Sequence, residues 1–374
     1  MEKFIFIKKE NIMALLESLR DRYEIYLPLL DENAAVTDFE RIEDLKHTGK
    51  TLNLEDKSKK SAKSVFFAPT ENIFEFEYVK NVQSPDITDV KLKNYEDGGS
   101  SNTGSSAGNR KPALLFGLKP CDSIGIKCQD LVFMDENKKD VSYFRKRRGS
   151  VLVCIGCSLV FPDCFCMSVG GNPFDFSYCD IGLVDAGEFF ILTHASQRKD
   201  VLELLKHADT YFEERELKTD DKKLIVGIAA DSEKKQLSQL KKFEKEGIEK
   251  ILENVFKNEK TWEKISQKCI GCAACTYVCP TCTCFDIGDE LKDLKGSRYK
   301  CWDYCTNYNY TLEASGHNPR GKLFQRYRNK INCKFNYFVR RNRLLYCVGC
   351  GRCIEACPVG MDIREIIAEE ITMK

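Results

Sequence analysis

Two copies of one cysteine pattern constrain the fold of this chain more than any other feature. Each copy reads CxxCxxCxxxCP, and the closing prolines are Pro280 and Pro358. This spacing is typical of two-cluster ferredoxins, in which three cysteines of one copy bind one [4Fe–4S] cluster and the fourth binds the other. The sequence therefore predicts a first cluster on Cys269, Cys272, Cys275 and Cys357, and a second cluster on Cys347, Cys350, Cys353 and Cys279.

The residues between these cysteines are small, as a close approach of the backbone to a cluster requires. They include Gly271, Ala273, Ala274, Gly349 and Gly351. Backbone N–H groups in such loops can donate to cluster sulfurs and so adjust the reduction potential. A structural zinc site is the alternative for each half, because CxxC pairs also bind zinc. Two complete copies, each closed by a proline, favour iron–sulfur clusters over zinc.

The composition of the chain indicates the cellular compartment in which these cysteines function. The chain has 374 residues, 20 of them cysteine, and a formal net charge of +1. Its start, MEKFIFIKKE, lacks the pattern of a signal peptide, and its longest apolar run, VLVCIGCSLVF, is about half the roughly 20 residues that cross a membrane. The balanced charge offers no general attraction to nucleic acid or membranes. We therefore expect a cytoplasmic protein with reduced, metal-binding cysteines and with neither nucleic acid nor membrane as a partner.

The patterning predicts an α+β chain of two domains. We expect an N-terminal α/β domain over residues 1–260, with a flexible Gly/Ser loop at 92–112, and a mostly helical ferredoxin-type domain over 261–374 with a long helical insertion at 285–346. A charged helix over 231–257 is expected to connect them. Strands are predicted at KFIFI, YEIYLPL, SVFFAP, FEFEYV, ALLFGL, VLVCI, EFFILTH and KKLIVGIAA. Two of these lead into cysteines, an arrangement that brings ligands to a crevice in α/β domains.

Several short segments together resemble a known family. They are GLKPCD, CFC, CPTCTC, WDYC, GHNPR, RYRNK and CVGCGRCIEACP. The family contains the iron–sulfur electron-transfer subunits of anaerobic sulfite reductases and the beta subunits of cytoplasmic [NiFe] sulfhydrogenases. The resemblance covers nearly the whole chain and is weak over residues 180–260.

The resemblance implies an electron-transfer subunit that is not catalytic alone. It implies one partner subunit with flavin and a [2Fe–2S] centre, which takes electrons from a nicotinamide cofactor, and a catalytic partner with sirohaem or a [NiFe] site. The run CFCMSVGGNP favours the sirohaem sulfite reductase, with the [NiFe] sulfhydrogenase or sulfur reductase as the alternative. A zinc-stabilised interaction scaffold is the alternative from a different class.

The resemblance also sorts the cysteines outside the two motifs. It implies a third cluster on Cys121, Cys157, Cys164 and Cys166, for which a buried thiol group or zinc is the alternative. It implies a further metal site on Cys282, Cys284, Cys305 and Cys333, for which structural zinc or simple packing of the thiols is the alternative. The chain would then hold two [4Fe–4S] clusters and up to four. The remaining cysteines are expected to be unliganded; they are Cys128, Cys154, Cys179 and Cys301. For His317 there are two alternatives, a role as a ligand or proton relay and a hydrogen bond that fixes a turn.

A basic run lies between the two motifs. Residues 314–354 contain no Asp or Glu, and the basic residues there include Arg320, Lys322, Arg326, Arg328, Lys330, Lys334, Arg340, Arg341 and Arg343. Interleaved aromatic residues raise the alternative of single-stranded nucleic acid. A thiolate-ligated cluster is negatively charged, so nearby cations would stabilise its reduced form. The same cations would also suit an acidic partner surface, or form a solvated helix face. No motif for a flavin, nicotinamide or nucleotide site is present.

Overall fold

The computed structural model describes residues 3–43, 49–80, 88–93, 110–239 and 247–371. Its strands are β1 (Lys3–Lys8), β2 (Glu24–Asp31), β3 (Val36–Arg41), β4 (Thr51–Leu52), β5 (Thr70–Lys80), β6 (Thr88–Lys93), β7 (Ala113–Leu118), β8 (Val151–Ile155), β9 (Ile181–Asp185), β10 (Phe189–Ala195), β11 (Phe212–Glu216), β12 (Phe285–Lys292) and β13 (Lys295–Trp302). Most of the predicted Gly/Ser loop, residues 94–109, lies outside the described residues.

The same part of the chain also contains α-helices, numbered here in chain order. They are α1 (Ile12–Leu19), α2 (Pro120–Phe133), α3 (Val141–Arg147), α4 (Lys199–His207), α5 (Thr219–Gln239), α6 (Ile248–Phe256), α7 (Glu259–Ser266), α8 (Ala274–Tyr277), α9 (Leu323–Asn332), α10 (Phe338–Asn342), α11 (Arg352–Glu355) and α12 (Ile363–Glu365). Two π-helical segments, Cys333–Tyr337 and Ile366–Ile371, extend α9 and α12. No helix in the described part of the chain is both long and apolar enough to span a membrane.

A mixed sheet forms the N-terminal part, in the order β11-β1-β10-β9-β8-β7-β2-β3, with β4 added on β2. Its central strands β2, β7, β8 and β9 are parallel, and the outer pairs are antiparallel. β7 and β8 are buried along their whole length, as expected for parallel strands that are covered on both faces. Their carboxyl ends therefore lie side by side, and each leads directly into a cysteine: Cys121 at the start of α2 and Cys157 after β8.

A second, four-stranded sheet joins distant parts of the chain in the order β12-β13-β5-β6. β12 and β13 form a hairpin through a two-residue turn in which Asp293 has a φ of 57°, and β13 pairs with β5 of the N-terminal part. This corrects the expectation of a helical insertion over 285–346, because the insertion begins with two strands. The pairing partner, β5, is more than 200 residues away in sequence, so local periodicity gave no indication of it.

Three other local predictions also need correction. KKLIVGIAA lies inside α5, where Leu224 and Val226 are exposed, so this apolar run is not a buried strand. SVFFAP forms no strand: its first two residues end a 3₁₀ helix, Ala62–Val65, and Phe66 and Phe67 follow it and are buried. The charged helix expected over 231–257 is divided: α5 ends at Gln239, and α6 starts after Gly247, whose φ of 76° interrupts a helix. Residues 240–246 lie outside the described residues.

The C-terminal part has its own core, formed by α6, α7, α9, α12 and the π-helical segments around Trp262 and Phe335. A smaller core joins it to the N-terminal part, because Ile124 and Cys128 of α2 pack against Tyr346 and Val348 next to the second motif. The two parts are therefore in contact around the cysteines. A domain boundary near residue 260 remains a prediction.

Candidate metal centres

The two ferredoxin motifs have the same backbone conformation. In each motif the second and fourth residues after the first cysteine have positive φ: Gly271 and Ala273 in the first, Gly349 and Gly351 in the second. A short helix follows each loop, α8 in one case and α11 in the other, and these helices contact each other. Backbone N–H groups turn towards sulfur in both loops; that of Gly271 lies 3.4 Å from the Sγ of Cys269.

All eight motif cysteines line one cavity of about 850 Å³, a volume that includes its opening. Cys279 belongs to the first motif but lies close to the cysteines of the second. Burial raises the pKa values of Cys347, Cys350 and Cys353, and their electrostatic interaction with this cysteine raises them further. Cys357 lines the same cavity as the first three cysteines of the first motif. A single cavity lined by eight thiols at this spacing fits the donor set of two [4Fe–4S] clusters.

A second cavity of about 440 Å³ is lined by the cysteines of the proposed third site, Cys121, Cys157, Cys164 and Cys166. Burial raises the pKa of Cys157 to about 11 and that of Cys166 to about 12. Thiols with such pKa values are protonated at neutral pH, so a metal that binds here has to displace their protons. Gln236 of α5 accepts hydrogen bonds from the Sγ of Cys166 at 3.1 Å and the backbone N–H of Met167 at 2.8 Å.

The two cavities share a wall. Gly349 and Cys350 of the second motif line both of them. The backbone N–H of Phe165, within CFC, donates to the carbonyl of Gly349 at 2.7 Å. A Cβ on Gly349 would lie 2.5 Å from the backbone of Cys166. Only a glycine lets the two cysteine loops approach this closely.

The four cysteines of the fourth proposed site do not all lie together. The thiol of Cys305 donates to Cys284 and lowers the pKa of Cys284 to about 6, and Cys333 acts electrostatically on the same pair. Cys282 instead contacts Cys279, one of the cavity cysteines, and this contact lowers the pKa of Cys279. The structure thus brings Cys284 and Cys305 into contact, with Cys333 near enough to act on them electrostatically, and it places Cys282 against Cys279.

The four remaining cysteines and His317 lie outside the proposed ligand sets. Cys128 is buried on α2, Cys154 and Cys179 hydrogen-bond to each other, and Cys301 lies on β13. His317 is exposed, and its backbone carbonyl accepts from the N–H of Glu313 while its own N–H donates to the Oγ of Ser315. The role of its imidazole stays a prediction. All 20 cysteines of the chain are described and all are free thiols. In the described ranges, no group of three or more His, Cys, Asp or Glu side chains is arranged to hold a single metal ion.

The basic run is partly buried rather than a uniform surface. Lys330 and Lys334 face the cavity cysteines, whereas Arg341 is exposed. Arg326 donates to the carbonyls of Thr306, Arg320 and Gly321, which fixes the loop before α9. Of the interleaved aromatic residues, Phe324, Tyr327, Phe335 and Phe338 are buried and Tyr337 is exposed. Four of these five rings are therefore not available to stack on bases.

Several polar residues at the site gave no signal in the sequence. Lys57 donates to the carbonyl of Cys350 at 2.7 Å and lies 3.9 Å from the Sγ of Cys164, so it lies at the wall between the cavities. Lys63 donates to the carbonyls of Thr276 and Cys282, each at 3.2 Å, and burial lowers its pKa. These contacts span more than 100 residues, and no local pattern marks them.

Comparison with known proteins agrees with this geometry. A family model described as a 4Fe-4S dicluster domain matches residues 268–361, the range that contains both motifs. The chain is also similar to sulfhydrogenase 2 subunit beta of Pyrococcus furiosus, with 33% identity over 260 residues, which is 68% of this chain and 73% of that protein. The chain thus belongs to the family of sulfhydrogenase beta subunits, and it is an iron–sulfur electron-transfer subunit that carries [4Fe–4S] clusters.

Proposed function

We propose that the chain is the electron-transfer subunit of a cytoplasmic sulfhydrogenase-type complex, between a flavin subunit that oxidises a nicotinamide cofactor and a [NiFe] catalytic subunit. The observation that supports this most is the similarity to a protein named as a sulfhydrogenase beta subunit, over most of both chains. It favours the alternative over the sulfite reductase that CFCMSVGGNP had favoured. That run is only ten residues long, whereas the similarity extends over 260.

The proposed ligand sets follow the cavities. Cys269, Cys272, Cys275 and Cys357 would hold one cluster, and Cys347, Cys350, Cys353 and Cys279 a second. Cys121, Cys157, Cys164 and Cys166 would hold a third. Each bound [4Fe–4S] cluster supplies a centre that accepts and releases one electron. The residues of the chain fix how near these centres lie to one another, and the shared wall at Gly349 and Cys350 keeps the second and third sets adjacent.

The first set reaches the protein surface. Cys272 is exposed, whereas the other 19 cysteines are buried or half-buried. The neighbouring Ile270 is 64% exposed, in a loop that holds three cavity cysteines. An apolar side chain next to an exposed ligand suits a contact with a partner subunit. We therefore propose that one partner docks over this loop.

The proposal is tested by co-purification. The chain is expressed anaerobically with either a [NiFe] hydrogenase pair or a sirohaem subunit from the same genome, each with the flavin subunit. We expect the [NiFe] pair to co-purify, and hydrogen to bleach the visible iron–sulfur absorbance of the complex. A sirohaem subunit that co-purifies instead, with sulfite reoxidising the reduced complex, would replace this proposal with the sulfite reductase. Stoichiometric zinc with little iron would leave only the interaction scaffold.

A further inference from the structure

Two buried lysines lie against the cavity that holds the eight motif cysteines. Lys330 is on α9 and Lys334 is in the π-helical segment that follows, and each is 5% exposed. The Nζ of Lys330 contacts the Sγ of Cys275. The Nζ of Lys334 lies 3.2 Å from the Sγ of Cys279 and 2.9 Å from the Oγ1 of Thr281. Both amines therefore point at sulfur.

In the part of the chain that the structure describes, the partners of these two amines are sulfur and neutral oxygen atoms, since Lys334 also donates to the carbonyl of Tyr346 at 3.2 Å. The buried lysines that pair with carboxylates are other residues, Lys146 and Lys300. An ammonium group that is buried without a counter-charge is costly, and it would normally lose its proton or be replaced. The Sγ atoms of Cys275 and Cys279 contact these amines, and both cysteines belong to the proposed ligand sets. A [4Fe–4S] cluster bound through these sulfurs would supply the negative charge that the amines otherwise lack.

The spacing of the lysines matches the spacing of the cysteines. Lys330 and Lys334 are four residues apart, about one helical turn, and so are Cys275 and Cys279. Cys275 belongs to the first proposed ligand set and Cys279 to the second. One helical segment thus presents one amine to each set.

We propose that Lys330 and Lys334 are positioning charges that raise the reduction potentials of the two clusters separately, Lys330 for the set with Cys275 and Lys334 for the set with Cys279. A fixed positive charge beside a ligand sulfur stabilises the form with one more electron. The effect is strong because both amines are excluded from water. This inference rests on the proposed ligand sets.

The test replaces each lysine by a neutral side chain of similar length, Lys330→Met and Lys334→Met, in the full chain purified anaerobically. Arg341→Met is the matched control, because Arg341 lies in the same basic run and is exposed. Potentiometric titration followed by EPR measures the potential of each cluster. We expect each lysine variant to lower a different potential, with at least a tenfold fall in the reduction equilibrium constant, which corresponds to about 59 mV for one electron. The control should move neither potential.

Iron analysis separates a failure of this inference from a failure of the ligand sets. Full iron content with unchanged potentials in both lysine variants would overturn the role of the lysines and leave the ligand sets standing. If a methionine variant loses iron, Lys330→Arg and Lys334→Arg decide, because they keep the charge. Arginine variants that restore both iron and potential support the inference. Arginine variants that retain iron with lowered potentials, or that also lose iron, would overturn it.

Discussion

Arg352 and Asp122 form an ion pair that is almost completely excluded from solvent. The Nη2 of Arg352 lies 2.9 Å from the Oδ2 of Asp122, and the two side chains are 0% and 1% exposed. Arg352 stands between Cys350 and Cys353 of the second motif, and Asp122 follows Cys121 at the start of α2. This pair, whose two members are 230 positions apart in sequence, therefore joins two proposed ligand sets.

We expect Asp122→Asn to destabilise the protein strongly. The change leaves the guanidinium of Arg352 buried without a counter-charge, which costs about 3–5 kcal/mol. The apparent free energy of unfolding is measured by anaerobic denaturant titration. Asp289→Asn is the control, since Asp289 pairs with Arg298 with both side chains 44% exposed, and a solvent-exposed ion pair contributes little to stability. Equal effects of the two variants would contradict a structural role for the buried pair.

We expect Gly349→Ala to disturb the second and third ligand sets together. A Cβ at this position would lie 2.5 Å from the backbone of Cys166, so the two cysteine loops have to move apart. Iron per chain should then fall by more than the roughly four atoms of one cluster.

Gly360→Ala controls for backbone strain in this experiment. Gly360 has a φ of 64°, close to the 63° of Gly349, but a Cβ there meets no atom within 4 Å. Its alanine variant is expected to keep its iron. Iron loss in both variants would assign the effect to the positive φ and not to the contact between the loops.

The sequence predicted the parts of this site that depend on local spacing. The positions of eight motif cysteines predicted two clusters, and the structure lines one cavity with all eight. The strand KFIFI is present as β1, and its aromatic and β-branched residues are the types that favour strands. Such features can be predicted because they depend only on residues that are neighbours in sequence.

The parts that depend on distant contacts could not be predicted. KKLIVGIAA has strand-like composition, but it lies in α5 and pairs with no strand of the described sheets. The β12–β13 hairpin needs β5 as its neighbour. Lys57 and Asp122 reach the second motif only after folding, and no spacing in the sequence marks either of them.

We expect Cys121→Ser to remove one cluster and to leave the ferredoxin pair intact. Cys121 lines the smaller cavity with three other cysteines and is not among the eight of the larger cavity. Iron should fall by about four atoms per chain, with the EPR signals of the other clusters retained. Cys128→Ser is the control, because Cys128 is a fully buried thiol on the same helix α2 and outside the proposed sets. Unchanged iron in Cys121→Ser would reject the third site.

The fourth site is tested by Cys305→Ser. Cys305 and Cys284 are in hydrogen-bond contact, and Cys333 acts on them electrostatically, so two of the proposed donors are in contact and a third is near. If these cysteines hold a cluster with Cys282, the variant loses about four irons per chain. Cys301→Ser is the control on the neighbouring strand β13. Because Cys282 contacts Cys279, a fourth ligand set that includes Cys282 requires this side chain to turn away from the second set. A variant that loses zinc and keeps all its iron would assign the site to structural zinc, and one that loses neither would assign these thiols to packing.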